Sequence, residues 1–419
     1  MYAYINCDVS NSPDIIRMDE INIFMLLFAD DTVLFSKSSD GLQRIIDKLY
    51  EFCTSWGIEV NVEKTAIMVF KKGNRKEICN LKYNNESLKN VDEYSYLGVR
   101  LKSNCSFSVA QKRLSDSAMK ALYSLNTLFD HVSLKTEDKI KLFDSMVVPI
   151  LCYGCEIWGF HKAPDIERVH LKFLKQVLSV KQKTATPAVY GELGRFPLLV
   201  ERKIRLLKYW QKILKNPKSL VYRLCFMKDL DGNFILKWTQ NVKMLLDSIG
   251  FSYVFSESEI GNNLFAVLKQ RIYDQYIQDW FYTIDNSSKL DTYCCFKNIF
   301  EIETYILKIE NPLHCSALAK LRCSSHNLAI EDGRYRNIER RQRKCTFCNI
   351  NVIEDEYHFV LVCPLYRELR KALLPHFYYT WPTITKFKLL MKTTKPRTIK
   401  KLAKFVYLAF KKRQQVTAE

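Results

Sequence analysis

The sequence predicts an α+β protein: a short antiparallel hairpin and a helix near the N-terminus, a largely α-helical region after them, and a small metal-binding segment near the C-terminus. Three observations predict it. Two apolar runs, Ile23–Phe28 and Thr32–Phe35, flank the pair Asp30-Asp31, the pattern of two strands joined by a tight turn. Beyond about Phe107 the apolar residues switch to helical spacing, and Cys345, Cys348, His358 and Cys363 fall close together.

The first helix follows the hairpin at once. Ser39 or Asp40 caps it, because a short side-chain oxygen satisfies the free amides of a first turn. Its apolar positions Leu42, Ile45, Ile46, Leu49, Phe52, Cys53 and Trp56 recur every three or four residues. Gly57 suits the left-handed residue that ends a helix. Short strands are predicted at Ala66–Phe70, around Ile78–Tyr83 and at Tyr94–Leu101.

From about Phe107 to Lys215 the pattern is helical. Leu114, Ala118, Ala121, Leu122, Leu125 and Leu128 form one stripe; Ile140, Phe143, Met146 and Val147 form another that stops near Pro149. Residues 216–310 are helical in tendency and carry no motif. Only 12 Gly and 11 Pro occur, so no long flexible linker is predicted, and no internal repeat is visible.

The 419 residues leave room for several domains at roughly 100–200 residues each. An apolar share of 47% allows sizeable cores. The net charge of +19 and an isoelectric point near 9.2 favour a polyanionic partner, nucleic acid first. No basic-then-apolar leader is seen at Met1–Asp8, and no apolar run reaches the ~18–20 residues of a membrane span. The expectation is an intracellular protein, nuclear or cytoplasmic, with no membrane partner. Its 14 cysteines, where clustered, then read as metal ligands and not as a disulfide framework.

Two clusters carry chemistry. Hard cations such as Mg²⁺ take carboxylate oxygens, and two such ions clamp the oxygens of a nucleotidyl transfer. Phe28-Ala29-Asp30-Asp31 at a hairpin tip would aim carboxylates at such an ion. The second cluster, Cys345-x2-Cys348-x9-His358-x4-Cys363, offers three thiolates and an imidazole, the donor set of tetrahedral Zn²⁺. Arg340, Arg341, Arg343 and Lys344 precede it; their charge favours thiolates and suits phosphate binding. A further CxxC, Cys152 and Cys155, lies in an apolar run without a second ligand pair and reads as core.

The succession Ala29-Asp30-Asp31, a capped helix, Asn61-Val62-Glu63-Lys64-Thr65 and Tyr96-Leu97-Gly98 resembles the palm of non-LTR retrotransposon reverse transcriptases. Tyr153-Gly154 and Glu156-x-Trp158-Gly159 resemble the same family's post-palm region. The segment from Arg322 through His326, Gly333-Arg334 and the Cys/His cluster to Tyr366 and Arg370 resembles its zinc-binding segment.

The resemblance implies that Asp30 and Asp31 are catalytic Mg²⁺ ligands and that Lys64 lies near the incoming nucleotide's phosphates. It also implies RNA and DNA, as template and primer, for partners. Such a palm needs a further aspartate on an earlier strand, and Asp8, Asp14 and Asp19 lie too near the hairpin to supply it. The expectation is a chain inactive alone, completed by the missing N-terminal part of the polymerase or exposed and poorly behaved at its hairpin. The alternative is a non-enzymatic zinc-containing nucleic-acid-binding protein derived from a retroelement.

The resulting division is 1–105, a partial palm; 106–215, a basic thumb-like region; 216–310, helical; 311–370, zinc-binding; and 371–419, a basic helical tail. Arg202, Arg205 and Lys208 on the basic stretch either line a template–primer duplex or form a solvated face. The tail, with Lys400, Lys401, Lys404, Lys411, Lys412 and Arg413 around Leu402, Phe405, Val406, Ala409 and Phe410, is expected to dock on the chain's own core, with a membrane surface a distant second.

Overall fold

A computed structural model describes residues 16–18, 21–70, 78–160, 162–215, 221–231, 236–257 and 259–418. Asp8, Asp14 and Asp19 lie outside them. The described residues are mostly helical with small antiparallel hairpins, the α+β class predicted. They fall into two units. One draws on Met1–Leu114, Tyr153–His161 and Arg205–Leu268, the other on Ser115–Cys152, Lys162–Ile204 and Lys269–Glu419.

In the first unit, Met25–Phe28 pairs antiparallel with Asp31–Leu34, Phe28 opposite Asp31, leaving Ala29 and Asp30 as a two-residue turn. The helix Ser39–Trp56 follows, capped by Ser38, whose Oγ accepts from the Gly41 amide at 3.0 Å. The cap thus lies one residue before the predicted positions, because Ser38 keeps the extended backbone a cap needs. Gly57, at φ 65°, ends the helix as predicted.

Ile46 packs with Ile67, Leu81, Tyr83 and Leu88, and Leu34, Leu42 and Leu49 flank them. Trp56, counted in the apolar stripe, remains 66% exposed. The strands at 66–70 and 78–83 shorten to Ala66–Ile67 and Lys82–Tyr83. The helix side chain Gln43 serves the edge of the latter, accepting from the Lys82 amide at 2.9 Å and donating to its carbonyl at 2.8 Å.

The expected strand Tyr94–Leu101 is instead a hairpin, Glu93–Tyr96 against Val99–Lys102. Leu97 and Gly98 are its turn, with φ of 46° and 78°. Two successive left-handed residues match the right-handed twist of paired strands, which is why this tight turn wins over an extended run. Tyr153 closes over it: the phenol donates to the Leu97 carbonyl at 2.9 Å, and a Cβ on Gly98 would lie 3.0 Å from its ring. Gly154, at φ 62°, leaves room for Val99. Tyr96-Leu97-Gly98 and Tyr153-Gly154, far apart in sequence, are two halves of one fitted contact.

The second unit is built around buried charges. Arg322, 4% exposed, donates from Nε to Glu192 at 2.8 Å, from Nη2 to Glu303 at 2.9 Å and from Nη1 to the Met391 carbonyl at 2.8 Å. Burial opposes its charge, but Glu192 and Glu303 hold it ionised. Glu167 caps the helix Leu198–Lys215, accepting from the Leu198 and Leu199 amides at 3.1 and 2.7 Å. The last helix, Pro396–Ala418, lies against Pro312–Arg322 and buries Ile399, Leu402, Ala403, Phe405, Val406 and Ala409. Its apolar stripe faces the chain's own core. Among the described residues, no helix is long and apolar enough to cross a membrane.

Candidate metal centres and nucleic-acid interface

The carboxylate site starts from a strained turn. Ala29 has φ 53°, and Asp30 does not share the positive sign. Positive φ at the first turn residue alone is the pattern that glycine ordinarily fills; an alanine there costs about 1–2 kcal/mol. Such strain gathers at functional turns. Asp30 and Asp31 are both exposed, and Leu26, Leu27 and Phe28 leading to them are 43, 59 and 60% exposed.

Lys64 is exposed too. Its backbone is fixed by the segment around it: the Lys64 amide donates to Asn61 Oδ1 at 3.0 Å, and Thr65 Oγ1 donates to the Asn61 carbonyl at 2.8 Å. Asn61 and Thr65 therefore shape the turn from which Lys64 projects. Among the described residues, no set of three His, Cys, Asp or Glu ligands gathers around Asp30.

The cysteine site is more completely built. One ligand atom from each of Cys345, Cys348, His358 and Cys363 lies within 4.8 Å of all the others. Cys345 Sγ and Cys363 Sγ are 4.0 Å apart, and Cys348 Sγ is 3.6 Å from His358 Nε2. A tetrahedron with zinc–sulfur bonds near 2.3 Å and zinc–nitrogen bonds near 2.0 Å has edges of about 3.5–3.8 Å. The donor set fits that ion.

Backbone amides are aimed at all three sulfurs: Phe347 at Cys345, Ile350 at Cys348 and Leu365 at Cys363. Amides directed at a sulfur favour thiolate. The Cys363 hydrogen bond, with burial, pushes the Cys345 thiol up to about 12, and the same bond holds Cys363 below the ordinary thiol range. Burial raises Cys348. Ionisation is thus opposed at Cys345 and Cys348 and favoured at Cys363.

The scaffold is local on one side. The Cys345 amide donates to Val352 at 3.0 Å and the Glu354 amide to Arg343 at 3.0 Å, a two-rung ladder. Asp355 Oδ1 accepts from the His358 amide at 2.8 Å, and the Cys363 amide donates to His358 at 2.8 Å. Arg370 is buried, donating to the Val362 carbonyl at 3.3 Å and to that of Cys363. Burial brings its guanidinium down to about 10.

On the other side the support comes from the last helix. Arg413 pairs with Glu354 and lies 4.3 Å from the Phe347 ring centre. Glu354 Oε1 is 3.8 Å from Cys345 Sγ. Arg413 is expected only as part of the basic tail, and nothing in the spacing of Arg413 and Glu354 could have linked them.

The predicted nucleic-acid residues separate into three groups. Arg202 is completely buried, its Nη2 3.4 Å from Glu167, which corrects the expectation of a phosphate contact: the carboxylate compensates a cation that water cannot reach. Arg343 is half-buried and donates to the carbonyls of Ile338 and Ile330 at 2.9 and 3.0 Å, so it ties backbone together. A Cβ on Gly333 would lie 2.6 Å from Arg343 Cγ, the reason glycine stands there. Arg341, Lys344 and Lys208 are exposed, Arg205 is half-buried, and exposed Arg340 pairs with Asp291. Cys152 and Cys155 are buried, at 1 and 0% exposure, and belong to no metal-ligand group among the described residues.

Residues 7–101 match the model of the reverse transcriptase (RNA-dependent DNA polymerase) family. The RNA-directed DNA polymerase from mobile element jockey of Drosophila melanogaster is 22% identical over 236 residues, 54% of this chain and 25% of that protein. A transposon-derived protein of Caenorhabditis elegans is 29% identical over 190 residues, 45% of this chain and 67% of its own. A retrovirus-related Pol polyprotein from a type-2 retrotransposable element of Drosophila melanogaster is 31% identical over 121 residues, 24% of this chain and 11% of that protein. The chain thus spans about a quarter of the length of the jockey polymerase.

Proposed function

We propose, from the premise that the chain belongs to the non-LTR retrotransposon reverse-transcriptase family, that it supplies the metal-binding hairpin and the downstream nucleic-acid-holding part of an RNA-directed DNA polymerase. The observation that carries this reading is the tip at Ala29-Asp30-Asp31, where a strained two-residue turn holds two carboxylates exposed within the matched residues. Asp30 and Asp31 offer hard oxygen donors for Mg²⁺, and Lys64 serves the phosphates of an incoming deoxynucleotide. A two-ion site needs more negative ligands than this pair, so a further carboxylate joins Asp30 and Asp31 to complete it.

The remainder holds the template–primer. Cys345, Cys348, His358 and Cys363 bind one Zn²⁺ and fix the loop that carries Arg340, Arg341 and Lys344 against phosphates. Arg205 and Lys208 add contacts from the helix Leu198–Lys215.

Magnesium-dependent primer extension on an RNA template tests the catalytic half, with the chain alone and with a polypeptide carrying the earlier palm strands. Extension is abolished by Asp30→Ala. Extension that survives Asp30→Ala removes the hairpin from the chemistry. Failure of the chain to bind an RNA–DNA hybrid at low salt removes the holding role.

A further inference from the structure

Three cations from three separate segments meet beside one exposed aromatic ring in the second unit. Tyr335 ends the helix Ala329–Tyr335 and is 53% exposed. Lys183 Nζ, from the loop before the helix Thr186–Leu193, lies 5.7 Å from its ring centre. Lys289 Nζ, from the turn after the helix Asn262–Asp285, lies 5.9 Å from the same centre and donates to the Lys183 carbonyl at 3.3 Å. Arg334 reaches the same turn, donating to Ser288 Oγ at 3.1 Å and to its carbonyl at 2.9 Å.

The local acid does not balance these charges. Among the described residues, Glu331 is the carboxylate paired with Arg334, at 3.3 Å from Nε, and with Lys289, at 4.0 Å. Lys175 is close enough for the Lys289 charge, after burial, to disfavour its own. Two ammonium groups against one ring gain something from its π face, but they also repel each other. The arrangement becomes favourable when an anion sits between them.

We propose that Tyr335, Lys183 and Lys289 form a contact for single-stranded nucleic acid, with an unpaired base stacked on the phenol ring and the flanking phosphates on the two lysines. An exposed ring in a basic setting accepts any base, because every base has a π face. A duplex keeps its bases stacked inside and offers the ring nothing. This rests on the nucleic-acid reading above and adds to it a strand type and residues apart from the Cys/His loop.

The test is fluorescence anisotropy of the full chain with a labelled single-stranded RNA and with an RNA–DNA hybrid, at several salt concentrations. Tyr335→Ala weakens single-strand binding roughly tenfold, the scale of one lost stacked base, while Tyr335→Phe keeps it. Lys183→Ala with Lys289→Ala lowers the salt dependence on the single strand by about 1.4 in the log–log slope, two phosphate contacts' worth. Hybrid affinity changes less than twofold in Tyr335→Ala. Unchanged circular dichroism and zinc content show that the variants fold.

Single-strand binding by Tyr335→Ala equal to that of the unaltered chain overturns the proposal, as does an equal loss on both substrates. Displacement of the RNA by polyglutamate from the unaltered chain but not from Tyr335→Ala also overturns it, in favour of an acidic peptide. Failure to bind either nucleic acid overturns the broader reading as well, so the two failures are distinguishable.

Discussion

Replacing Arg413 by methionine asks whether the last helix sets the charge balance of the cysteine cluster. Its guanidinium donates to Glu354 Oε2 at 2.9 Å and also to Oε1. Glu354 is 2% exposed, and its Oε1 stands 3.8 Å from Cys345 Sγ. A protonated Cys345 can donate to that oxygen. A thiolate cannot, and the two negative charges then repel by about 4 kcal/mol at an effective dielectric of ~20. Arg413 offsets that repulsion.

Methionine keeps a stem over Phe347 and removes the charge together with the hydrogen bonds to Glu354 and the Asn327 carbonyl. Zinc affinity is expected to fall at least tenfold, with a ceiling of about a thousandfold set by the full repulsion. The fold loses about 3 kcal/mol, the low end for a buried pair losing one partner, because the Arg413 side chain is 14% exposed. Competition with a chromophoric chelator measures the first quantity and urea unfolding the second. Adding Glu354→Gln restores most of the affinity, since glutamine still accepts from the Ala329 amide, now 2.7 Å from Glu354. Zinc affinity in Arg413→Met equal to that of the unaltered chain, or a double variant no better than the single one, refutes the reasoning.

Three further outcomes follow from particular contacts. Cys345→Ser or Cys363→Ser takes the zinc content measured by elemental analysis from one per chain to none, whereas Cys152→Ser leaves it at one. Gly333→Ala destabilises by about 1–3 kcal/mol in urea unfolding, because its new methyl meets Arg343 Cγ at 2.6 Å and Arg343 must release the backbone it ties. Burial alone would raise Glu356, but its contact with His326 at 3.0 Å and the further bond from Thr292 hold it below the ordinary glutamate range. A depressed carboxylate stabilises the fold above its unfolded value, and that contribution is lost as pH falls through the folded one. Unfolding free energy therefore drops on acidification below about pH 4.5, and Glu356→Gln flattens that limb; an unchanged slope refutes it.

Much of the candidate site was legible because its signals are local. The metal-ligand spacing needs only a turn and a few following residues, so Cys345, Cys348, His358 and Cys363 stood out and the fold brings them together. The hairpin, the helix after it and the glycine at 57 obey rules that act over a few residues. Charge misled where burial decides. Arg202 and Arg343 read as phosphate contacts among their basic neighbours, yet one neutralises Glu167 and the other bridges carbonyls. A sequence records that a cation is present and is silent on which side of the surface it lies.

The class, the family resemblance, the helical periodicity and the cysteine and histidine donor set can be read from the residues alone, since each depends on neighbours along the chain. Folding in three dimensions is what brings Tyr153 over the Leu97-Gly98 turn, Arg413 to Glu354 behind Cys345, and Lys183 and Lys289 to the ring of Tyr335. Those contacts join residues dozens to more than a hundred positions apart. Their energies come from desolvation and charge compensation in a place that exists only once the chain has folded.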